Sequence, residues 1–369
     1  MPDENATRRS TRLRLETLEA REVPATFGTG SGLSVAYGDI MPVQLDNGQA
    51  EYITGTGPSL RRDSVVRIWD NAGTLLHEFT PFPGYRRGVF VETGDVNGNG
   101  QLDLLVSTAG GTLGRIQVYE FINGGPQLLV ELTPFGPTYT GQVQIAAGDV
   151  TGGFEEEIIA AQGTGGGTVK VFAFDTTVSQ AFEIRSFQPY GAGWTRGVTV
   201  ASDNIHNDFS LDEIITGRAQ LFPQVKIFDA EQPTVELLSS YMAFDISNPL
   251  NLRGIDVTAG STDGTIQNNI LFRQGAEIYV SLRGAGTIRA FRGDTGAIIT
   301  TIGPSRLYPR TFARSINFAV GFPIFDPNEI EAFGNLIVVG ADGPRRQVPI
   351  VFPGANLSPA GLNGQFPAA

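Results

Sequence analysis

The oxygen-bearing side chains of one short loop have the types and spacing needed to bind a metal ion. Residues 95–103 read DVNGNGQLD, which places oxygen-bearing residues at alternate positions around Gly100. If the loop curls at this glycine, the oxygens converge on one point, and their number suits Ca²⁺ better than a transition metal. The predicted calcium ligands are Asp95, Asn97, Asn99, the backbone carbonyl of Gln101, and Asp103. The alternative is a turn that the same side chains cap.

Two later segments carry weaker forms of this loop. In residues 149–157, DVTGGFEEE, Gly153 stands at the fifth position and Phe154 replaces the turn glycine. The remaining candidate calcium ligands there are Asp149, Thr151 and Glu157. Residues 204–212, NIHNDFSLD, fit the pattern only through Asn204, His206, Asp208 and Asp212. Elsewhere the pattern is interrupted or lost, and we expect direct hydrogen bonds to close those loops.

The sequence offers little material for catalysis. It contains two histidines and no cysteine, which leaves few groups for general acid–base or nucleophilic chemistry. His77 is predicted to be a surface residue of a strand. The glycine-rich run at 163–167 lacks the Lys-Ser/Thr of a phosphate loop and precedes a strand, which indicates a turn. No catalytic residue is predicted, and we expect the protein not to be an enzyme.

The candidate residues belong to a sequence that repeats about six times. The repeated element is a short strand written aliphatic-x-aliphatic-aromatic, and its copies begin 50, 53, 56, 63 and 60 residues apart. The copies are Val66–Trp69, Ile116–Tyr119, Val169–Phe172, Val225–Phe228, Ile288–Phe291 and a degraded sixth, Val348–Val351. Internal repeats of this length indicate an array of one supersecondary unit.

Each repeat is predicted to contain four short strands. In residues 89–142 an alternating strand precedes the loop 95–103, and a short apolar strand, a glycine-rich turn, the signature strand and a fourth strand follow it. Four antiparallel strands in such a repeat are typical of a propeller blade. We predict an all-β propeller, with six four-stranded blades as the first expectation and five or seven as alternatives. The predicted repeats are 33–88, 89–142, 143–197, 198–254, 255–316 and 317–352.

Two further landmarks keep register with the signature strand. An aromatic residue closes the fourth strand at Phe82, Phe135, Tyr190 and Phe244. An acidic or amide residue is predicted to open the second strand at Glu51, Asp103, Glu157, Asp212, Glu277 and Asn335. The last repeat is short, and residues 353–369 are predicted to be a flexible tail or a segment that completes the last blade.

Composition limits the classes of partner. The formal net charge of −12 argues against nucleic acids and anionic membranes as partners. No stretch approaches the about 20 apolar residues of a transmembrane helix. Without cysteine there are no disulfides or thiolate metal sites, so packing or bound ions must supply the stability. We expect a protein or glycan ligand, and the sequence leaves the oligomeric state open.

Residues 1–26 form a separate segment. It is polar and basic, and no apolar run of about 7–15 residues follows the arginines, so it is not an ordinary signal peptide. One interpretation is a disordered tail. However, residues 15–25, LETLEAREVPA, resemble a short amino-terminal segment of large exported and surface proteins of some bacteria. That resemblance implies export and an extracellular or cell-surface location.

A second resemblance concerns the repeat itself. Residues 94–106, GDVNGNGQLDLLV, resemble the calcium-loop half of the FG-GAP/VCBS repeat, which builds the propeller of integrin alpha subunits and of many bacterial surface proteins. The resemblance extends over most of residues 27–352, but only one copy carries a good loop. It implies a calcium-binding repeat protein in which Asp95, Asn97, Asn99 and Asp103 are side-chain ligands. Asn replaces the usual acid at two of these positions, which lowers the charge of the site.

The sequence is compatible with three functions. The first is a non-enzymatic, secreted or cell-surface propeller that serves as a structural or cell-adhesion module. The second is a glycan-binding, lectin-like propeller, for which Trp194, Tyr85 and Tyr139 are the candidate stacking rings. The third is a calcium-dependent hydrolase of the phytase-like propeller type. It ranks last because it needs carboxylates and basic residues on one face, and the only lysines are Lys170 and Lys226.

Three arginine pairs stand in predicted loops. One interpretation is solvated loop charge, and the other is contact with an anion or an acidic glycan if the pairs share one face. The pairs are Arg61–Arg62, Arg86–Arg87 and Arg345–Arg346.

Overall fold

The structure is a computed structural model that describes most of the repeated region. The described residues are 34–38, 51–57, 62–70, 74–206, 211–260, 264–267, 270–273, 275–293, 295–303, 316–321, 335–340 and 350–353. The predicted amino-terminal segment 1–26 and the tail beyond residue 353 therefore lie outside the described residues. So do Asp208, Arg61 and the pair Arg345–Arg346.

Five four-stranded antiparallel sheets follow one another along the chain, which we number blades 1 to 5. Blade 1 is β1 (Ser34–Gly38), β2 (Glu51–Gly55), β3 (Val66–Trp69) and β4 (Leu75–Phe79). Blade 2 is β5 (Val89–Gly94), β6 (Asp103–Thr108), β7 (Ile116–Ile122) and β8 (Gly125–Leu132). Blade 3 is β9 (Val143–Gly148), β10 (Glu157–Gln162), β11 (Val169–Asp175) and β12 (Gln180–Phe187). Blade 4 is β13 (Val198–Asp203), β14 (Glu213–Arg218), β15 (Gln224–Asp229) and β16 (Glu236–Met242).

Blade 5 differs by a short hairpin inserted after its first strand. It consists of β17 (Ile255–Gly260), β20 (Glu277–Leu282), β21 (Thr287–Arg292) and β22 (Ile298–Ile302), with the hairpin formed by β18 (Gly264–Gln267) and β19 (Ile270–Arg273). A single 3₁₀ turn, Pro249–Asn251, precedes it, and the described residues contain no α-helix. No described helix has the length and apolarity that crossing a membrane would require.

The blades are arranged as a ring. The first strand of each blade packs against the first strand of the next. A three-stranded sheet of β23 (Ile316–Gly321), β24 (Asn335–Gly340) and β25 (Ile350–Pro353) lies between blade 5 and blade 1, because β23 contacts both β17 and β1. The fold is thus an all-β propeller with five four-stranded blades, a number that the prediction allowed. The sixth repeat contributes three strands within the described residues, so the structure shows five of the six four-stranded blades that were the first expectation.

The signature sequence explains the packing of each blade. In blades 1 to 5 it forms the third strand, and the pairing of the third strand with the fourth shifts register immediately before the aromatic residue. Such a bulge bends the strand and increases its twist. The apolar side chains form separate clusters, each shared by two consecutive blades. The core is therefore a series of layers between blades, and burial in these layers is the main stabilising contribution.

Candidate functional site

The loop 95–103 is curled as predicted, and its side-chain oxygens accept hydrogen bonds from its own backbone. Asp95 accepts from the amides of Asn99 (3.0 Å) and Gly100 (2.7 Å). Asn97 Oδ1 accepts from the Asn99 amide at 3.1 Å, and Asn99 Oδ1 accepts from the Gln101 amide at 2.8 Å. Gly100 has a φ of +85°, a left-handed conformation that favours glycine. These hydrogen bonds close the loop.

Asp103 is the buried anchor of the loop. It opens β6, is fully buried, and accepts from the Val96 amide and from Asn97 Nδ2, both at 3.2 Å. Burial, together with the charges of the nearby carboxylates of Glu120 and Asp95, raises the pKa of Asp103 to about 8. At neutral pH this carboxyl group is therefore largely protonated unless a cation compensates its charge.

Glu120 belongs to the same site, although the sequence analysis did not single it out. Its Oε1 accepts from Asn99 Nδ2 at 2.7 Å. It lies in the third strand, outside the loop motif, and only the pairing of β6 with β7 brings it to the loop. Three carboxyl groups, Asp95, Asp103 and Glu120, thus surround two asparagines. A donor set of hard oxygens with this charge fits Ca²⁺ in chemical type.

Blades 3 and 4 close the corresponding loops in the same way. In blade 3, Glu157 accepts from the Val150 amide at 2.9 Å and from the Thr151 hydroxyl. In blade 4, Glu213 accepts from the Ile205 amide at 3.0 Å, and its other oxygen lies 2.5 Å from His206 Nδ1. Like Asp103, both acids are buried first residues of the second strand. In blades 2, 3 and 4, a buried acid therefore closes the loop by accepting a hydrogen bond from a loop amide.

The prediction for Asp212 was wrong. Glu213, not Asp212, opens the second strand of blade 4, because the loop after β13 is one residue longer than its counterparts in blades 2 and 3. Asp212 instead contacts the preceding blade: its amide donates to the carbonyl of Asp149 at 2.8 Å, and its carboxylate accepts from the Asp149 amide at 3.1 Å. The predicted ligand set of Asn204, His206, Asp208 and Asp212 stays a prediction, and Asp208 lies outside the described residues.

Asp149, the first candidate of the blade 3 loop, caps that loop by accepting from the Gly152 amide at 2.8 Å. The candidates Asp149, Thr151 and Glu157 are therefore adjacent, but each has a hydrogen-bond partner within the chain. In the part of the chain that the structure describes, no group of three or more His, Asp or Glu side chains is arranged to hold a metal ion.

Further carboxyl groups gather where these loops meet across blades. The Glu156 amide donates to the Asp95 carbonyl at 2.8 Å. Burial, together with the charges of Asp212, Asp95 and Glu92, raises the pKa of Glu156 to about 8. Burial likewise raises the pKa values of Glu92 and Asp212 to about 7. Where the loops of neighbouring blades meet, the carboxyl groups of Glu92, Glu156 and Asp212 thus resist ionisation.

The aromatic candidates for glycan stacking pack between blades instead. Tyr85 is buried and donates its hydroxyl to the Gly110 carbonyl at 2.8 Å. Tyr139 donates to the carbonyls of Gln142 and Thr164, each at 2.7 Å. Trp194 is half-buried and donates from Nε1 to the Gly197 carbonyl at 2.8 Å. These rings fill the joints between consecutive blades.

The two ends of the propeller carry opposite charge. Since consecutive strands are antiparallel, the connections from second to third strands and from each blade to the next lie at one end, which we call the arginine face. Its described connections contain seven arginines and two acids: Arg62, Arg86, Arg87, Arg115, Arg196, Arg253 and Arg283 with Asp63 and Asp245. Of the predicted arginine pairs, Arg86–Arg87 lies here, and Arg86 pairs with Asp63 at 3.0 Å.

The opposite end, the carboxylate face, contains the connections from first to second and from third to fourth strands. Its described connections hold seven acids, namely Asp70, Asp95, Asp149, Glu155, Glu156, Asp212 and Glu231. Outside the β18–β19 hairpin they hold no lysine or arginine. His77 lies on neither face: it is half-buried on β4, beside the rings of Phe79 and Phe121. The described connections of the carboxylate face thus place no basic residue beside its acids outside that hairpin, although the hydrolase hypothesis required such a combination.

These features define the class of the protein as a β-propeller of antiparallel blades with two loop faces of unlike charge. No family model and no curated protein matches the chain. Among solved structures, Saccharomyces cerevisiae Sqt1 is similar with 10% identity and a TM-score of 0.47, over 88% of this chain and 96% of that one. A chain of a mitotic checkpoint complex is similar with 11% identity and a TM-score of 0.42, over 94% of this chain and 89% of that one.

Proposed function

We propose that this chain is a non-enzymatic interaction module that binds a protein partner through its arginine face. The observation that carries the proposal is the division of charge between the two faces of a chain whose net charge is −12. A face that concentrates arginine on an acidic protein attracts acidic partners and keeps basic ones away. Exposed apolar residues accompany these arginines, with Leu221 38%, Phe222 40% and Leu250 63% exposed.

A peptide selection with face-specific variants tests this proposal. The probe is a random-peptide library displayed on phage and selected on the full chain. We expect the selected peptides to lose affinity for Arg86→Glu/Arg196→Glu by at least about tenfold. The matched control, Glu155→Lys/Glu231→Lys, changes charge to the same extent on the carboxylate face and is expected to bind them unchanged. Peptides that distinguish neither variant from the unaltered chain, or no peptides at all, would refute the proposal.

The proposal also includes the type of repeat and a bound ion. We propose that the repeats are of the FG-GAP/VCBS type and that the loop 95–103 holds structural Ca²⁺. The residues that would hold the ion are Asp95, Asn97, Asn99, the Gln101 carbonyl and Asp103, and Glu120 lies close enough to join them. Support comes from the charge of the site, because a bound cation would compensate carboxyl groups that otherwise repel one another. For binding, the side-chain oxygens must exchange the loop amides for the ion.

Thermal unfolding with calcium and with a chelator tests the ion. A ligand at about a hundredfold excess over its dissociation constant stabilises the folded state by about 2.7 kcal/mol. We expect calcium to raise the midpoint of the unaltered chain but not that of Asp95→Ala. Asp175→Ala is the matched control, because its carboxylate caps an exposed turn by accepting from Thr177. An identical midpoint with calcium and with chelator would remove calcium from the proposed function.

We further propose that the protein acts outside the cell or at its surface and has no hydrolase activity. The support for export is the resemblance of residues 15–25 described above. Fractionation of cells that produce the full chain tests its location. Incubation with phytate and calcium tests the hydrolase alternative, and we expect no release of inorganic phosphate. Phosphate release that Asp95→Ala abolishes would establish an enzyme instead.

A further inference from the structure

One arginine on the arginine face is surrounded by aromatic rings. The guanidinium carbon of Arg218 lies 4.5 Å from the ring centre of Trp194, 4.9 Å from that of Tyr190 and 5.8 Å from that of Phe222. Each distance lies within the range of a cation–π contact. We call these four residues the Arg218 box. The rings fix the position of the guanidinium but offer it no hydrogen-bond acceptor, since an aromatic face cannot replace a carboxylate oxygen.

The guanidinium of Arg218 has no acceptor among the described residues. Its Nε is buried without a hydrogen-bond partner, and its two terminal nitrogens make no hydrogen bond there but are not buried. Neighbouring arginines are different, since Arg283 pairs with Asp256 at 2.9 Å and Arg253 donates to the Gly284 carbonyl at 3.0 Å. A buried donor without a partner costs free energy, so such a group in a native structure calls for an explanation.

The residues at the same position in other blades have a structural role that Arg218 cannot fill. The residue at this place in blades 1 to 3 is Thr56, Thr108 or Gln162, and each accepts a hydrogen bond from the amide that closes the turn to the third strand. Arginine has only donors and cannot accept this bond. Blade 4 therefore gives up a turn-closing acceptor and gains a cation in an aromatic box.

A second cation lies near the same ring. Lys226 Nζ lies 5.5 Å from the ring centre of Tyr190 and donates to the Pro189 carbonyl at 2.8 Å. Burial lowers the pKa of Lys226, and the charge of Arg218 lowers it further. No ion pair of the described residues includes either cation, so the two positive charges lie together without a carboxylate. An anion from outside the chain would relieve this repulsion.

Apolar surface adjoins the box. Leu221 and Phe222 form the tip of the turn between β14 and β15, and Leu221 adopts a φ of +61°, which is unfavourable for a leucine. The Leu221 carbonyl accepts from the Gly254 amide at 2.9 Å, which ties this turn to the connection that carries Leu250. The chain thus holds exposed apolar side chains beside a cation that lacks an anion.

We propose that the Arg218 box binds the carboxylate of an aspartate or glutamate in a partner polypeptide, with an adjacent apolar side chain of that partner against Leu221 and Phe222. A carboxylate accepts two parallel N–H bonds from a guanidinium, and such charge-assisted bonds are among the strongest in proteins. The flanking apolar surface favours a polypeptide over an acidic sugar. This inference rests on the proposed function and names its central contact.

Peptide binding to Arg218 variants tests the inference. Peptides selected as above are expected to share an acidic residue next to an aliphatic or aromatic one. Replacing that acid by its amide should reduce affinity for the full chain by at least about tenfold. Arg218→Met should reduce it equally, and Arg218→Lys nearly as much because lysine cannot form the two-pronged contact. Arg185→Met is the matched control and should change affinity less than about twofold, because Arg185 lies on β12 and donates to the Ala230 and Gln232 carbonyls on the side of the carboxylate face.

Tryptophan fluorescence gives a local readout that a merely structural arginine would not produce. The chain has two tryptophans, and Trp69 is buried and bonded to the Thr54 hydroxyl at 3.0 Å. In a Trp69→Phe background the signal therefore comes from Trp194 in the box. We expect the acidic peptide to change this signal, and its amide counterpart not to. Circular dichroism and thermal unfolding verify that each variant is folded.

The outcomes separate the two proposals. If selected peptides respond to Arg86→Glu/Arg196→Glu but bind Arg218→Met normally, the box is overturned and the interaction module stands. If no peptide depends on the arginine face, both proposals fail. If oligogalacturonate changes the Trp194 signal and acidic peptides do not, the carboxylate site takes a sugar acid, and the polypeptide assignment is overturned.

Discussion

The two faces of this propeller join the same blades by different chemistry. On the arginine face, the aromatic residue after the fourth strand of each of blades 1 to 4 lies under a cation of the next blade. The distance from the cation to the ring centre is 4.7 Å both for Arg115 over Phe82 and for Arg289 over Phe244. On the carboxylate face, loop residues of consecutive blades hydrogen-bond to each other, as in the Asp212 amide, which donates to the Asp149 carbonyl at 2.8 Å. One repeat has therefore evolved two separate kinds of joint, one at each end of its strands.

The difference predicts that the faces respond differently to conditions. Ring packing and cation–π contacts involve groups that do not titrate near neutral pH. The carboxylate face contains acids whose pKa values are raised into the neutral range. Its stability should therefore depend on pH and on cations, whereas the joints of the arginine face should not.

The largest effect on stability is expected from removing an aromatic ring that packs between two blades. Phe82 is fully buried between blades 1 and 2 and contacts the ring of Tyr85. Phe82→Ala should lower the free energy of unfolding by about 3–5 kcal/mol. Denaturant unfolding measures this loss, which should be the same at about pH 5 and about pH 8 because no titrating group is removed. A loss confined to high pH would contradict the separation of the two faces.

A smaller effect should follow from removing a buried acid. Glu213→Ala leaves the Ile205 amide and His206 without their acceptor, and an unsatisfied buried donor costs about 1–3 kcal/mol. Asp212→Ala is the matched control one residue away, and it removes an acid whose charge is unfavourable at neutral pH. We expect Glu213→Ala to melt lower than Asp212→Ala. The reverse order would restore Asp212 as the residue that closes this loop.

The pH dependence of stability should be opposite to that of an ordinary acid. The pKa values of Asp103 and Glu156 rise from 3.8 and 4.5 to about 8 on folding. The folded state thus binds more protons than the unfolded state between about pH 4 and about pH 8, and stability falls as pH rises through this window. In the presence of a chelator, the midpoint of thermal unfolding should therefore be several degrees lower at about pH 8 than at about pH 4.

Glu156→Gln is the control for this pH dependence. It replaces a carboxyl group by an uncharged group of the same shape, so the midpoint should vary less with pH than that of the unaltered chain. A midpoint that rises towards about pH 8 in the unaltered chain would contradict the raised pKa values.

The smallest effect concerns a single hydroxyl on the arginine face. Tyr139→Phe keeps the ring between the blades and removes a donor shared by the Gln142 and Thr164 carbonyls. The expected loss in the free energy of unfolding is about 0.5–1.5 kcal/mol. A loss as large as that of Phe82→Ala would mean that the hydroxyl, and not the ring, holds this joint.

Much of the fold could be predicted because its signals are local. The five good signature copies are third strands in the structure, and the aromatic landmarks follow the fourth strands as expected. A strand with alternating burial needs only a few residues to show its period, so the pattern is legible without tertiary contacts. The sixth repeat, with its degraded signature, contributes three described strands instead of four.

The candidate site was less predictable. Spacing alone found the loop 95–103 but not Glu120, which reaches it through strand pairing. In blade 4 one additional loop residue moved the closing role from Asp212 to Glu213, and the sequence motif carries no marker for that shift. The only hint in the sequence is that two consecutive acids, Asp212 and Glu213, both fit the pattern.

The sequence by itself determined the class of fold and the presence of an oxygen-rich loop, because these depend on residues within one repeat. Only the tertiary structure decided which acids are buried, which rings fill the joints, and that Arg218 meets Tyr190 and Trp194. These contacts join residues from different blades. Their energies depend on burial and on neighbouring charges, and both arise only when the ring of blades is assembled.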